Sequence, residues 1–291
     1  MAMASLLVPA LQASLHAGEA ILSVYRGTVA VEYKADQSPL TQADTRSHAI
    51  ILRHLDDTGL PVLSEEGRNI PYAERSGWER LWIVDPLDGT KEFIKRLGEF
   101  TVNIAVIEGQ RPVIGVIFVP VKHVLYFGVR GEGSFRVDDP AAMHDLLTAP
   151  ASRDSQDSLK RLVQSAARLP VEHAPHSPFV IVGSRSHATP ELHAYVEQKR
   201  RELGEVTFLS AGSSLKYCLV AEGRADVYPR LGPTMEWDTA AGQVIAEAAG
   251  AAVTRYDTGG PMVYNKEDLL NPWHVVARTV TSNEQRVTSN K

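Results

Sequence analysis

In the segment "LWIVDPLDGTKEFIKR", residues 81–96, the apolar run Leu81–Val84 leads straight into Asp85, Pro86, Leu87, Asp88, Gly89 and Thr90. Elsewhere Glu65 and Glu66 follow the apolar "PVL", Asp238 follows "MEW", and Asp36 and Asp44 flank a loop–helix junction. Strand ends and helix starts are where side chains from distant segments converge on one cleft. Converging carboxylates repel one another and are costly to desolvate unless a cation neutralises them. Oxygen-only ligands suit magnesium or manganese rather than zinc. Asp85 and Asp88 are three apart across a proline-containing turn, so both carboxylates and the Leu87 carbonyl can face one side. Gly89 permits close backbone approach, its amide and that of Thr90 can meet a phosphate, and the Thr90 hydroxyl can hold a water. Two cations about 3.5–4 Å apart would polarise a phosphate, acidify a water and hold the leaving oxygen.

Each of these residues also has a plainer reading. Asp, Pro and Gly all favour turns, so D-P-x-D-G by itself is good turn chemistry. Asp238 alone reads as a helix cap or first-turn acid. Glu65–Glu66 alone reads as a solvated loop pair, Lys216 as a surface lysine, and Cys218 as a core residue.

Other chemistries lack their motifs. The sequence contains no G-x-x-x-x-G-K-[ST], no G-x-S-x-G and no H-E-x-x-H, and in "GEGSFR" Arg136 stands where a dinucleotide loop needs its third glycine. The net charge of −5 argues against a broad nucleic-acid-binding face. A small anionic substrate remains compatible with it, because a metal supplies local positive charge. With 44% hydrophobic and 22% charged residues, the chain of 291 has an ordinary globular composition. The single cysteine excludes an internal disulfide and suits a reducing cytoplasm. No apolar run reaches the roughly 18 residues of a membrane span. The start of the chain lacks the basic flank of a signal peptide.

The elements that must position the acids follow from periodicity. Leu7, Leu11, Leu15, Ile21, Leu22 and Tyr25 predict a helix over 5–26 that stops at Gly27. Thr41 is placed to cap a helix over 42–56. "PVLSEEG" reads as a short strand, and the apolar runs of 100–136, broken by "EGQR", "PVK" and "GEG", read as an antiparallel meander. Further on, "FVIVGS", "VTFLS", "ADVYPR" and "WHVVA" read as strands. Between them lie helices begun by Thr189–Pro190, closed by Gly223 and closed by Gly250, which predicts an α/β layer. The expected organisation is an N-terminal α+β half over 1–140 bearing the acids and the meander, an irregular connection over 141–177, and a C-terminal α/β half over 178–280.

Taken together, "SEEG", "WIVDPLDGTKEFIKRLGEFTVNIAVIEG" and "WDTAAGQVIAEAAG" resemble the magnesium-dependent, lithium-sensitive phosphatase superfamily of inositol monophosphatase and fructose-1,6-bisphosphatase. "SPLTQAD", "SRSHA", "GSSLKYCLVAEGRADVYPRLGPTMEWDTAAG" and "LNP" are similar to the 3′(2′),5′-bisphosphate nucleotidases within it, over roughly residues 10–277. The resemblance implies a layered αβαβα sandwich with the site between its halves. It implies Glu65, Asp85, Asp88, Asp238 and the Leu87 carbonyl as ligands to two or three Mg2+ ions, with Mn2+ able to substitute. Asp44 and Thr90, with Glu65 nearby, would position and activate the attacking water. Gly89 and Thr90, beside Asp238, would hold the scissile phosphate, while Ser214, Lys216, Arg230 and His187 would face the nucleotide. The substrate it implies is adenosine 3′,5′-bisphosphate, converted to AMP and phosphate, a clearance step in sulfate assimilation. The implied partner is thus a small nucleotide and not a nucleic-acid polymer, in a cytoplasmic enzyme for which peripheral contact with the inner membrane stays open.

Three rivals stand beside this expectation. The same fold can act on inositol phosphates or fructose bisphosphate, although Lys216 and "GSSLKYC" speak for a nucleotide. A haloacid-dehalogenase-type phosphatase would attack with an aspartate, but its D-x-D spacing is one residue shorter than that of Asp85 and Asp88. A non-catalytic metal- or nucleotide-binding protein would not need Thr90 beside a full set of acids.

Overall fold

The computed structural model describes residues 3–27, 31–34, 39–150, 153–184 and 189–279. It begins with α1 (Met3–Tyr25), β1 (Val31–Tyr33), β2 (Pro39–Thr41), α2 (Gln42–Asp56), β3 (Val62–Ser64), α3 (Tyr72–Arg75), β4 (Arg80–Asp88) and α4 (Thr90–Ile94). Then come β5 (Thr101–Glu108), β6 (Arg111–Val119), β7 (Val124–Val129), β8 (Gly133–Val137), α5 (Pro140–Thr148), α6 (Arg153–Ser165) and β9 (Ala167–Arg168). The remainder is β10 (Phe179–Gly183), α7 (Pro190–Leu203), β11 (Val206–Ser210), α8 (Leu215–Glu222), β12 (Val227–Arg230), α9 (Glu236–Ala248), β13 (Ala251–Arg255) and β14 (His274–Arg278).

Strands β3 to β9 form one seven-stranded sheet in chain order, parallel at β3–β4 and antiparallel from β4 onward. A second sheet has the order β11-β10-β12-β14-β13, and β1–β2 form a separate ribbon. Alternation along β4 shows the layering. Trp82 and Val84 pack with α1, α2, α5 and α6, while Leu81 and Ile83 join α8, α9 and the inner face of the five-stranded sheet. Both faces of the large sheet are covered, so its strands read as unbroken apolar runs. The outer face of the small sheet packs Ile181, Val206 and Val227 against Leu192 and Val196 of α7. The result is the layered αβαβα sandwich.

Helix α9 lies between the two sheets at unusually close range. A Cβ at Gly115 of β6 would stand 2.4 Å from the Ala241 carbonyl oxygen, so only glycine lets that helix settle. This contact fixes the height at which Asp238 is presented.

The termini of the predicted helices lie where their caps are. Thr41 Oγ1 accepts from the Ala43 amide at 3.1 Å, and Thr189 Oγ1 accepts from the Leu192 amide at 3.2 Å. Two stretches differ from expectation. The segment 141–177, expected to be irregular, carries most of α5, all of α6 and β9. Asp139 caps α5, accepting from Ala141 at 2.9 Å, and Leu159 and Leu162 lay a stripe of α6 on the core. The second is β13, whose small residues hide a strand paired along its length with β14.

Candidate active site

The site is built around the end of β4. Side chains three apart on a regular strand point to opposite faces. Between Asp85 and Asp88 the pairing with β5 slips, from Asp85 opposite Asn103 to Asp88 opposite Thr101. That one extra residue returns both carboxylates to the same side. The Leu87 amide donates to Asp85 Oδ1 at 3.0 Å, which locks the turn. Gly89 follows with φ +92°, and a Cβ there would meet the Glu99 carbonyl oxygen at 3.2 Å, so the position demands glycine. Chain direction then reverses into α4, with Thr90 in its first turn.

Helix α2 is pinned to this turn by Ser47, whose hydroxyl donates to the Pro86 carbonyl at 2.6 Å. That brings Asp44 beside Thr90. The Thr90 hydroxyl donates to Asp44 Oδ1 at 3.1 Å, while Asp44 Oδ2 accepts from the Thr41 amide at 2.8 Å and the Thr41 hydroxyl at 2.6 Å. Asp44 thus caps its own helix with one oxygen and orients Thr90 with the other. Burial pushes its carboxyl above the ordinary range, against these hydrogen bonds.

Glu65 arrives from the end of β3, its amide donating to the Val84 carbonyl at 3.1 Å. Asp238 arrives in the first turn of α9, with Oδ2 accepting from the Met235 amide at 2.8 Å. One oxygen each from Glu65, Asp85 and Asp238 lie within 4.8 Å of one another. Asp88 stands beside this triad on the cleft wall, its Oδ2 taken by the Ser214 amide at 2.6 Å. Burial first, then the charges of Glu65, Asp88 and Asp238, raise Asp85 well above the usual carboxylate range. Burial, followed by the charge of Asp88, lifts Asp238 to about 8. Burial lifts Asp88 to about 6 against the attraction of Lys216. Asp85 Oδ2 is buried with no hydrogen-bond partner among the described residues. An orphaned carboxylate oxygen inside an all-oxygen cluster fits a hard divalent cation, which would restore these acids to their ionised forms.

The second sheet and α8 complete the lining. Lys216 is buried, donating to the Ser213 carbonyl at 2.6 Å and to the Ala211 carbonyl at 3.4 Å. Burial lowers its ammonium to about 8, with Asp88 opposing the shift. Arg230, at the end of β12, donates to the Pro233 carbonyl at 2.6 Å. Glu65, Asp88, Gly89, Thr90, Asp238, Lys216 and Arg230 line one cleft.

The expected residues therefore come together, with two qualifications. His187 lies outside the described residues. Ser214 lines the cleft, and its hydroxyl also donates to Asn103 Oδ1 at 2.7 Å and lies 2.8 Å from the Thr101 hydroxyl, so it braces β5 as well. The sequence reading missed Lys34, which pairs with Glu65 at 2.9 Å and with Glu66. Burial works against its charge, and those two carboxylates outweigh it and hold the ammonium well above its usual value. Asn271, in "LNP", was also missed. Its side-chain amide donates to the Met235 carbonyl at 2.7 Å and the Thr239 hydroxyl at 2.9 Å, and its backbone amide donates to the Thr234 carbonyl at 2.8 Å, so it clamps the start of α9.

A sequence model of the inositol monophosphatase family matches residues 2–288. The chain belongs to the inositol monophosphatase family. Within this family it is 44% identical over 266 residues to the 3′(2′),5′-bisphosphate nucleotidase CysQ of Escherichia coli K12, an alignment covering 90% of this chain and 95% of that protein. The namesake protein of Shigella flexneri is 43% identical over the same shares. The crystal structure of CysQ from Bacteroides thetaiotaomicron superimposes with a TM-score of 0.84 at 48% identity, covering 95% of this chain and 98% of that one. No helix among the described residues is long and apolar enough to cross a membrane.

Proposed function

We propose that the chain is a magnesium-dependent 3′(2′),5′-bisphosphate nucleotidase that hydrolyses the 3′-phosphate of adenosine 3′,5′-bisphosphate to AMP and phosphate, in the cytoplasm and in support of sulfate assimilation. The observation that carries this reading is the convergence of Glu65, Asp85 and Asp238 within 4.8 Å at a cleft that Lys216 and Arg230 also line. The CysQ relatives, at 43–44% identity over 90% of the chain, supply the substrate class.

In this reading Glu65, Asp85, Asp88, Asp238 and the Leu87 carbonyl hold the cations. Magnesium supplies Lewis-acid polarisation of the phosphoryl group and lowers the pKa of water, and manganese serves in its place. Thr90 Oγ1 accepts a hydrogen bond from the attacking water, and because that hydroxyl already donates to Asp44, the water's proton passes toward the Asp44 carboxylate. Gly89 and Thr90 hold the phosphate at the start of α4, in line with that water. Asp238 stands at the N-terminus of α9, where the helix dipole favours the negative charge gathering on the transferring group. Positioning and electrostatics suffice, and no side chain becomes phosphorylated.

Phosphate release measured side by side from adenosine 3′,5′-bisphosphate and from inositol monophosphate, with magnesium, tests the assignment. The nucleotide should have by far the higher kcat/KM, with inhibition by millimolar lithium. Good cleavage of inositol monophosphate with poor cleavage of the nucleotide would overturn it.

A further inference from the structure

Among the clustered acids, Glu65 is carried by the shortest element. Asp85 lies within the nine-residue β4, and Asp238 in the first turn of α9. Glu65 follows β3, a strand of three residues at the edge of the seven-stranded sheet, paired among the described residues with β4 alone. A short edge strand is held on one side only, so the placement of the residue at its end depends on what ties it from the other.

Helix α2 supplies that tie. Asp44, Ser47, His48, Ile51 and Leu55 fall on one stripe of the helix. Ile51 and Leu55 are fully buried and seat the helix in the core. The three polar residues of the stripe each hold a different segment of the site. Asp44 accepts from Thr90, Ser47 donates to the Pro86 carbonyl, and His48 Nδ1 lies 3.0 Å from the Ser64 hydroxyl. Just beyond the helix, Thr58 accepts from Trp82 Nε1 at 2.9 Å, which fixes its far end against β4. A core-facing stripe is ordinarily apolar, and a half-buried imidazole on it needs a polar partner. Ser64 is that partner, and it is buried. Its carbonyl accepts from the Gly67 amide at 3.0 Å, closing the turn that carries Glu65 and Glu66. Ser64 is thus held at its backbone by β4 and the turn, at its side chain by α2, and Glu65 is the next residue.

We propose that His48 is a positioning residue that, through the Ser64 hydroxyl, sets Glu65 where it can share a divalent cation with Asp85 and Asp238. His48 is not among the residues that line the cleft, so it acts only through Ser64. This rests on the cation-binding part of the reading above and deepens it. Neither His48 nor Ser64 had a role in the sequence reading.

Mn2+ is the probe, because its binding to the chelator-treated full chain can be read directly from the loss of the free-ion electron paramagnetic resonance signal. The wild type is compared with His48→Ala, Ser64→Ala, their double variant and His48→Asn. His48→Ala and Ser64→Ala should each weaken Mn2+ binding about tenfold, the low end of what the outer partners of a metal ligand contribute. The double variant should bind no more weakly than either single one, since both changes remove the same contact. His48→Asn, whose amide can reach the same hydroxyl, should bind nearly as the wild type does. A merely structural contact would lower the urea midpoint of His48→Ala and Ser64→Ala and leave the Mn2+ dissociation constant of the folded protein unchanged. That result overturns the proposal, as does a wild type that binds no Mn2+. Should His48→Ala fail to fold, Ser64→Ala, which loses a single hydroxyl, decides the matter. Failure of the nucleotidase reading looks different. Mn2+ binding weakened as expected, in a protein whose magnesium-loaded wild type leaves adenosine 3′,5′-bisphosphate uncleaved, overturns the substrate and supports the positioning role.

Discussion

At the scale of single residues, Asp44, Asp85, Asp88 and Asp238 each hold a backbone amide with one oxygen, and the proposed nucleotidase reading gives the same carboxylates a chemical task. Asp44 Oδ2 caps α2 and its Oδ1 accepts a hydrogen bond from the Thr90 hydroxyl, while Asp238 Oδ2 holds the Met235 amide. Asp238 therefore satisfies both sequence readings at once, helix cap and member of the acidic cluster. Thr90 has no structural task of comparable weight, since its second contact, to the Leu87 carbonyl, is long at 3.4 Å. Thr90→Val should thus leave the melting temperature nearly unchanged and lower kcat about a hundredfold or more, the usual range for a lost proton-transfer group, with KM within a few fold. Steady-state kinetics on adenosine 3′,5′-bisphosphate checks this. A valine variant that keeps the wild-type kcat removes Thr90 from the proton path.

At the scale of elements, the sequence was most informative where one segment carries its own signal. The caps Thr41 and Thr189, the apolar run of β4 and the Asp-Pro-Leu-Asp-Gly-Thr turn are local, and each is found in place. What escaped depends on contacts far along the chain. Lys34 meets Glu65 across 31 positions, and Asn271 meets Met235 across 36. No spacing rule reaches that far, although a lone asparagine before proline in "LNP" was a hint that a turn there had work to do. Helix α6 escaped for another reason. Its polar composition resembles a linker, and only Leu159, Leu162 and Val163 betray a helical stripe.

The clamp at Asn271 makes a prediction at this scale. Asn271→Ala removes one of two donors to the Met235 carbonyl, which keeps the Asp238 amide, and a donor to the buried Thr239 hydroxyl. It should cost about 1–3 kcal/mol in urea unfolding. Because the start of α9 also carries Asp238, the magnesium concentration for half-maximal activity should rise. Wild-type stability together with a wild-type magnesium requirement would show that the clamp does not matter.

At the scale of the whole molecule, the sandwich explains why acids so distant in sequence meet. The large sheet brings Glu65 and Asp85 to adjacent strand ends, and the seating of α9 against Gly115 delivers Asp238 from the other half. The second sheet then closes the cleft with Arg230, and α8 with Lys216. This arrangement gathers acids and cations around one cleft, as a bound cation and an anionic substrate would require.

The most direct test is phosphate release from adenosine 3′,5′-bisphosphate by chelator-treated enzyme as magnesium is returned, for the wild type and for Asp238→Asn, whose amide oxygen can still cap α9. Release should be absent under chelation and restored by magnesium in the wild type. In Asp238→Asn it should stay about a thousandfold lower at saturating magnesium, the scale of loss when a group stabilising transition-state charge is removed. Release that persists under chelation, or that proceeds at the wild-type rate in Asp238→Asn, would contradict a cation-dependent phosphatase built on this acidic cluster.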